Sequence, residues 1–149
     1  MFEDILVRDW MTNPVYTVLP NTPISTAHKI MKDKNIRRLP VMGDHEVIGI
    51  ITLGDVREAS PSNATTLSIW ELNYLWSQLA VDRVMTTRLV TVAPDEPILN
   101  AADLMLKHKI SGLPVVKGKA LVGMITESDI FRMLMRARQP AEKFAAATS

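Results

Sequence analysis

The sequence contains no cysteine and almost no excess of either charge. Without cysteine there is no disulfide, no thiolate metal site and no cysteine nucleophile, and nothing indicates a secreted, disulfide-stabilised fold. Seventeen basic and sixteen acidic residues leave a net charge of +1, so no global field would attract nucleic acid or an anionic membrane. The first ten residues mix charged and apolar side chains, which is unlike a signal peptide or a membrane span. We therefore expect a soluble, cytoplasmic protein.

Familiar catalytic motifs are also missing. The sequence has no Gly-x-x-x-x-Gly-Lys phosphate loop, no Gly-x-Gly-x-x-Gly and no Gly-x-Ser-x-Gly. His28, His45 and His108 have no carboxylate or histidine partner at the spacing of metal ligands. We predict no catalytic residue and no metal ligand.

What the sequence does contain is an internal repeat. A shift of 74 positions, which places Val81 on Val7, aligns the chain with itself without a gap as far as Asp129 on Asp55. Each copy ends in Gly, two apolar residues and Thr-x-x-Asp, first at residues 49–55 and again at residues 123–129. Because a repeat determines the architecture, we expect two similar units.

Both copies predict the same order of elements. Short strands over residues 15–19 and 89–93 are closed by Pro20 and Pro94. Helices follow from Pro23 and Pro97, with apolar residues at helical spacing. Two further short strands then lead to the Thr-x-x-Asp segment, where a second helix begins. The pattern is strand, helix, strand, strand, helix, preceded by a short helical turn.

The segment between the copies is predicted to be a loop over residues 59–66 and then a helix that starts at Ser68, with Glu71 as its capping partner. Trp70 and Tyr74 of this helix could pack on the second unit, line a ligand cavity or contact a partner subunit, and we favour packing. The predicted domains are a first unit at 7–58, a linker with the extra helix at 59–80, a second unit at 81–136 and a flexible tail at 137–149.

The Thr-x-x-Asp segments have two interpretations. A hydroxyl and a carboxylate at a helix start suit a ligand that carries sugar hydroxyls and phosphate. The alternative is a capping box, in which the Asp accepts from the backbone N–H of the Thr. For a single copy the capping box is the commoner explanation, because the pattern is frequent.

The motifs together resemble a known family. Met-Thr near the start of each copy, Thr-Val-x-Pro, Leu-Pro-Val and the closing Thr-x-x-Asp are similar to the motifs of cystathionine-β-synthase-type (CBS) domains, and the pair resembles a Bateman module. The resemblance covers residues 7–135. It implies an α/β (α+β) fold of two pseudo-symmetric units packed sheet to sheet, in a stand-alone regulatory protein that is not an enzyme.

The resemblance also implies two ligand clefts that each draw on both copies. One would combine Thr126 and Asp129 with Thr17, Ile36, Arg37, Leu39 and Pro40, and the other would combine Thr52 and Asp55 with Thr91, Ile110, Ser111, Leu113 and Pro114. The Asp residues would hold ribose hydroxyls, the Thr residues phosphate or ribose oxygens, and the Ile and Pro residues the base. Lys34 and Arg37 near the first cleft, and His108 near the second, are candidates for phosphate contacts.

The two clefts are expected to differ. Arg37-Arg38 of the first copy is replaced by Ser111-Gly112 in the second. The more basic cleft would favour a di- or triphosphate, and the other a monophosphate, a nucleoside-type ligand or no ligand. A solvated basic turn is an equally good interpretation of Arg37-Arg38.

The implied function is that of a sensor. The module would bind AMP, ADP, ATP or S-adenosylmethionine, require no cofactor, and change shape to control a protein that the sequence does not identify. We expect a homodimer with contacts through the helices at 53–57 and 128–135. A constitutive interaction or scaffold module with empty clefts is the alternative, and an enzyme acting on nucleotides is a third hypothesis.

Overall fold

The computed structural model describes the backbone of residues 2–60 and 66–148, and the side chains of the same residues as far as residue 138. Most of the loop predicted at 59–66 lies outside the described residues. The chain divides into two compact units. Unit 1 comprises residues 1–15 and 90–149, and unit 2 comprises residues 16–89.

The elements follow the predicted order. Unit 2 contains α2 (Ile24–Lys34), β1 (Arg38–Gly43), β2 (Glu46–Thr52), α3 (Leu53–Glu58), α4 (Ile69–Ser77) and a 3₁₀ turn at Val81–Arg83. Unit 1 contains α1 (Val7–Trp10), α5 (Ile98–His108), β3 (Gly112–Lys117), β4 (Ala120–Thr126) and α6 (Glu127–Thr148). The predicted mixed fold of two repeated units of strands and helices is confirmed.

Each unit is built on one antiparallel hairpin. β1 pairs with β2 from Arg38 opposite Thr52 to Gly43 opposite Glu46, and β3 pairs with β4 in the matching register. Both hairpins have a bulge at the same place, which bends the strand and increases its twist. Thr52 and Thr126 are the last residues of β2 and β4, and α3 and α6 begin directly after them.

The strands predicted at 15–19 and 89–93 were wrong in extent. Each is reduced to one parallel bridge, Val18 with Val41 and Val92 with Val115. The physical reason is the proline two residues after each bridge, because its nitrogen has no hydrogen to extend a ladder. Each bridge places its segment beside the first strand of a hairpin.

Segments of the two sequence copies are exchanged between the units. Thr12, at the start of the first copy, pairs with Met124 of β4, and Thr86, at the start of the second copy, pairs with Ile50 of β2. The hydrogen bonds repeat as well: the Val7 N–H donates to the Glu96 carbonyl at 2.9 Å, and the Val81 N–H donates to the Thr22 carbonyl at 2.7 Å. A unit in space is therefore different from a copy in sequence.

Helix α4 begins where predicted, because the Ser68 hydroxyl accepts from the Glu71 N–H at 3.1 Å. Packing of Trp70 and Tyr74, which we favoured, is wrong: they are 81% and 64% exposed. The α4 residue that packs is Trp76, which joins the core of unit 2 together with Leu72. The helical spacing places Trp76 on the face opposite to the exposed pair.

Helix α6 extends through residues 137–148, to which the sequence assigns a flexible tail. The flexibility itself stays a prediction. Within the described residues, no helix is long and apolar enough to cross a membrane.

Candidate functional site

The structure distributes the predicted site residues over both units. Unit 2 carries Thr17, Lys34, Ile36, Arg37, Leu39, Pro40, Thr52 and Asp55, and unit 1 carries Thr91, His108, Ile110, Ser111, Leu113, Pro114, Thr126 and Asp129. Each predicted set contains residues of both units, so the geometry is described unit by unit.

In unit 2, Thr52 and Asp55 form a reciprocal capping box at the start of α3. The Asp55 N–H donates to the Thr52 hydroxyl at 3.1 Å, and the Thr52 N–H donates to Asp55 Oδ2 at 2.9 Å. Asp55 is half-buried, and its Oδ1 accepts no hydrogen bond from the described residues. This carboxylate oxygen is available to a donor such as a sugar hydroxyl.

In unit 1, both carboxylate oxygens of Asp129 have partners among the described residues, unlike those of Asp55. Its Oδ2 accepts from the Thr126 N–H at 2.8 Å and from the Thr126 hydroxyl at 3.2 Å. Its Oδ1 forms an ion pair with the Arg132 guanidinium. Asp129 is only 2% exposed, and it is the one charged residue in the buried core of the described residues. A ligand hydroxyl would have to share or displace the Arg132 contact.

Asp129 has an ion-pair partner and Asp55 has none among the described residues, because the residue three positions later differs between the two copies. Arg132 stands three residues after Asp129, which brings the two side chains together on a helix. The residue at the corresponding place of the first copy is Glu58, whose carboxylate cannot pair with Asp55. The sequence analysis missed Arg132, although an Asp and an Arg three residues apart on a predicted helix are a usable signal.

The turn after the first long helix of each copy lies beside the Thr-x-x-Asp segment of the same copy. Asn35 and Lys109 have left-handed backbones, with φ of 54° and 55°, which end α2 and α5. The Leu53 N–H then donates to the Arg37 carbonyl at 2.8 Å, and the Glu127 N–H donates to the Ser111 carbonyl at 3.0 Å. Ile36 and Arg37, and likewise Ile110 and Ser111, are thereby held near a helix start.

The other predicted residues differ in accessibility. Leu39 and Leu113 are fully buried, and Pro40 and Pro114 are buried beside them. The leucine side chains fill the cores, so a ligand could reach only the backbone there. Thr17 and Thr91 are exposed.

The basic residues predicted to contact phosphate have different surroundings. The Lys34 ammonium lies 5.1 Å from the centre of the Tyr16 ring, which is a cation–π distance. Arg37 and His108 have exposed side chains. In the described part of the chain no group of three or more His, Cys, Asp or Glu residues could hold a metal ion.

Comparison with known protein families gives a match in both copies of the repeat. The model of the CBS domain matches residues 7–62 and again residues 81–136. A CBS domain-containing protein of Dictyostelium discoideum is 32% identical over 144 residues, which cover 91% of this chain and 95% of that protein.

Several curated relatives are much longer proteins. L-aspartate semialdehyde sulfurtransferase of Methanocaldococcus jannaschii is 34% identical over 130 residues, or 86% of this chain, but the match covers only 23% of the enzyme. The chain spans about a quarter of the length of the first curated relatives that it matches.

Solved structures with the same fold contain adenosine compounds. The CBS domain pair of protein MJ0100, in complex with 5′-methylthioadenosine and S-adenosyl-L-methionine, has a TM-score of 0.75 and 31% identity, covering 89% of this chain and 97% of that chain. CBSX2 in complex with AMP has a TM-score of 0.71 and 27% identity, covering 88% and 97%.

Proposed function

Because the chain belongs to the CBS domain family, we propose that it is a regulatory module that senses an adenosine-containing ligand and controls a partner protein. The observation that carries the proposal is the presence of Thr-x-x-Asp in both copies, in a chain whose structural neighbours bind 5′-methylthioadenosine, S-adenosylmethionine and AMP. The ligand candidates are AMP, ADP, ATP and S-adenosylmethionine. No catalytic step is part of the proposal.

Asp55 is the stronger candidate for a ribose contact. Its Oδ1 is free of hydrogen bonds from the described residues, whereas both oxygens of Asp129 already have partners. A ribose hydroxyl would gain a charge-assisted hydrogen bond at Asp55 without breaking one. The set that contains Asp55, with Thr52, Thr91, Ile110 and Ser111 among its members, is therefore the first in which we expect ligand.

The set that contains Asp129 would respond to ligand differently. A hydroxyl that binds Asp129 must compete with the Arg132 guanidinium, so ligand binding there would release Arg132. Arg37 and Lys34 would favour a ligand with more phosphate groups in this set. The proposal is thus one adenosine ligand at the Asp55 set and a weaker or more highly phosphorylated ligand at the Asp129 set.

A specific observation supports the alternative of a constitutive interaction module. Both Asp residues already have structural roles, Asp55 in a capping box and the buried Asp129 in an ion pair with the exposed Arg132. In that case both sets are empty, and substitution of the Asp residues would affect only the stability of the fold.

The melting temperature of the purified protein distinguishes the ligand sensor from the constitutive interaction module. We would measure it with AMP, ADP, ATP and S-adenosylmethionine for wild type, Asp55→Ala, Asp129→Ala and the exposed control Asp33→Ala. A ligand at one hundred times its Kd adds about 2.7 kcal/mol, which corresponds to a rise of roughly 5–10 °C for a chain of this size. We expect this rise in wild type and Asp33→Ala and its loss in Asp55→Ala. Unchanged melting with every ligand, in a folded protein, would favour the interaction module.

We also propose that the protein forms a homodimer, and that α6, one of the two helices predicted to make contacts, provides the main contact surface. Phe131, Leu134 and Met135 of α6 are 59%, 41% and 50% exposed, which is a large apolar surface for one helix. Sedimentation analysis of wild type and Phe131→Ser tests this: a dimer that Phe131→Ser dissociates supports the proposal, and a wild-type monomer contradicts it.

A further inference from the structure

Unit 2 contains a pocket that the predicted ligand sets do not explain. It has a volume of about 470 Å³ and lies between α2, α3 and α4. Of the residues predicted to bind an adenosine ligand, only Ile36 and Arg37 line it. Its volume is large enough for a small organic molecule rather than a single ion.

The charged side chains in the lining of this pocket are all basic. Lys32, Arg37 and Arg57 contribute three positive charges, His28 stands beside them, and no acidic residue is part of the lining. None of the three cations forms an ion pair with a carboxylate of the described residues. Like charges that share one pocket without a counter-ion repel each other, and a bound anion would relieve that repulsion.

Trp76 forms part of the apolar lining, together with Met31, Leu53, Val56 and Leu72. Its side chain is 9% exposed, and the ring centre lies 4.7 Å from that of His28 at a tilt of 47°. The indole N–H is buried and finds no acceptor among the residues that the structure describes. Buried donors are nearly always satisfied, so an unpaired one that borders a pocket indicates a missing acceptor.

The second copy of the repeat lacks the basic residues. A shift of 74 positions takes His28, Lys32, Arg37 and Arg57 to Ala102, Leu106, Ser111 and Phe131. Helix α4, which supplies Trp76, lies between the two copies. The fold therefore does not require cations at these positions, since its other copy is built without them.

We propose that this pocket is a second binding site, for a small aromatic phosphate. The phosphate would contact Lys32, Arg37 and Arg57, and the aromatic part would lie against Trp76 and His28. Three cations match a phosphate dianion better than a single carboxylate, and guanidinium groups offer paired donors to phosphate oxygens. The lower pKa of the His28 imidazole, caused by burial and then by Lys32 and Arg57, agrees with a positive potential in the pocket.

The indole resonances of the three tryptophans provide a direct test. We would titrate the full chain with phenyl phosphate and follow the indole N–H signals in a ¹H–¹⁵N spectrum, with the Trp76 signal assigned by Trp76→Phe. We expect a saturable shift of the Trp76 signal and a weaker effect of inorganic phosphate. Absence of a saturable shift at millimolar phenyl phosphate would overturn the proposal.

Variants separate this pocket from general charge effects. Lys32→Ala with Arg57→Ala should weaken binding by at least about tenfold, because each removes a charged hydrogen bond. Lys29→Ala with Lys117→Ala removes the same charge from exposed positions outside the pocket and should leave the affinity unchanged. Equal affinity in the first pair, or an equal loss in the second pair, would contradict the proposal. Lys32→Gln with Arg57→Gln replaces the alanine pair if that pair does not fold.

The two proposals share Arg37, and variants of the two aspartates separate them. Neither Asp55 nor Asp129 lines the pocket, and an Asn side chain can still accept the backbone N–H at the start of the helix, so Asp55→Asn and Asp129→Asn should retain the Trp76 response to phenyl phosphate. Loss of that response in either variant would overturn the second site, because the probe would then act through the predicted adenosine sets. If adenosine ligands fail to bind any variant while the Trp76 response persists, only the proposed function is contradicted.

Discussion

Gly49 and Gly123 are the points where a strand approaches another segment too closely for a side chain. A Cβ atom at Gly49 would lie 2.5 Å from the Met85 sulfur, and one at Gly123 would lie 2.6 Å from the Met11 sulfur and 3.0 Å from the Thr12 carbonyl oxygen. These contacts join the strand to the exchanged segment of each unit. A glycine at this position is therefore a packing requirement of both copies.

Alanine at Gly123 should lower the free energy of unfolding by about 1–3 kcal/mol, because the added methyl group overpacks the contact with Met11. Urea unfolding of Gly123→Ala measures it. The same substitution should cost less in a Met11→Ala background, where the nearest side chain has been removed. The matched control is Gly54→Ala, since the nearest atom to its Cβ is 3.6 Å away and alanine in a helix should add up to about 1 kcal/mol. Equal destabilisation by both substitutions would contradict the packing argument.

His28 should make the protein less stable as the pH falls. Its pKa is lowered in the folded protein by burial and by Lys32 and Arg57. Below the ordinary histidine pKa of about 6.5, the unfolded chain gains its proton first, so stability decreases until the folded His28 is protonated as well. Urea unfolding at pH 7.5 and at several lower values should show a smaller loss for His28→Gln than for wild type. Identical pH profiles would indicate that His28 titrates alike in both states.

Helix α4 has a packed face and an exposed face, and the sequence analysis favoured packing for the wrong aromatic residues. Trp70 and Trp76 are six residues apart, which is more than one and a half turns, so they point to different sides. Helical periodicity predicted the helix and its Ser68 cap, but it could not tell that the flank with Trp70 and Tyr74 stays exposed. Which flank packs depends on the neighbouring elements of the folded unit, and the sequence of the helix alone does not encode it.

The two faces of α4 should therefore respond differently to truncation. Trp76→Ala removes a nearly buried indole from the core of unit 2 and should cost about 3–5 kcal/mol. Trp70→Ala removes a side chain that is 81% exposed and should change stability by less than about 0.5 kcal/mol. Thermal or urea unfolding of the two variants provides the comparison within one helix. A large effect of Trp70→Ala would mean that a partner copy covers this face.

At the scale of the molecule, the sequence predicts the secondary-structure elements better than the way in which the two copies combine into units. The 74-residue shift, the helix spacing and the Thr-x-x-Asp positions predicted the elements and the two capping segments. They could not predict the exchange, because Thr12 and Thr86 are equivalent in the repeat and either hairpin offers the same backbone groups. The sequence could not predict the cationic pocket either, because the residues of α2, α3 and α4 that line it come together only in the folded unit.

The exchange of segments between the units predicts which elements lose stability when a buried residue of an exchanged segment is truncated. Val7 is fully buried in the core of unit 1, and Val81 is fully buried in the core of unit 2. Val7→Ala should lower stability by about 1–3 kcal/mol, and amide hydrogen exchange should show where the structure loosens. We expect faster exchange in α5, β3 and β4, which belong to the second sequence copy, and little change in β1 and β2.

Val81→Ala is the matched variant and should have the opposite pattern. It has the same side chain, the same burial and the equivalent backbone hydrogen bond, to Thr22 instead of Glu96. Faster exchange should appear in α2, β1 and β2, within the first copy. If each variant instead loosened the copy in which its residue lies in sequence, the segments would not be exchanged in solution. Uniformly faster exchange after either substitution would show that the chain opens as a single cooperative body, so that neither unit has a stability of its own.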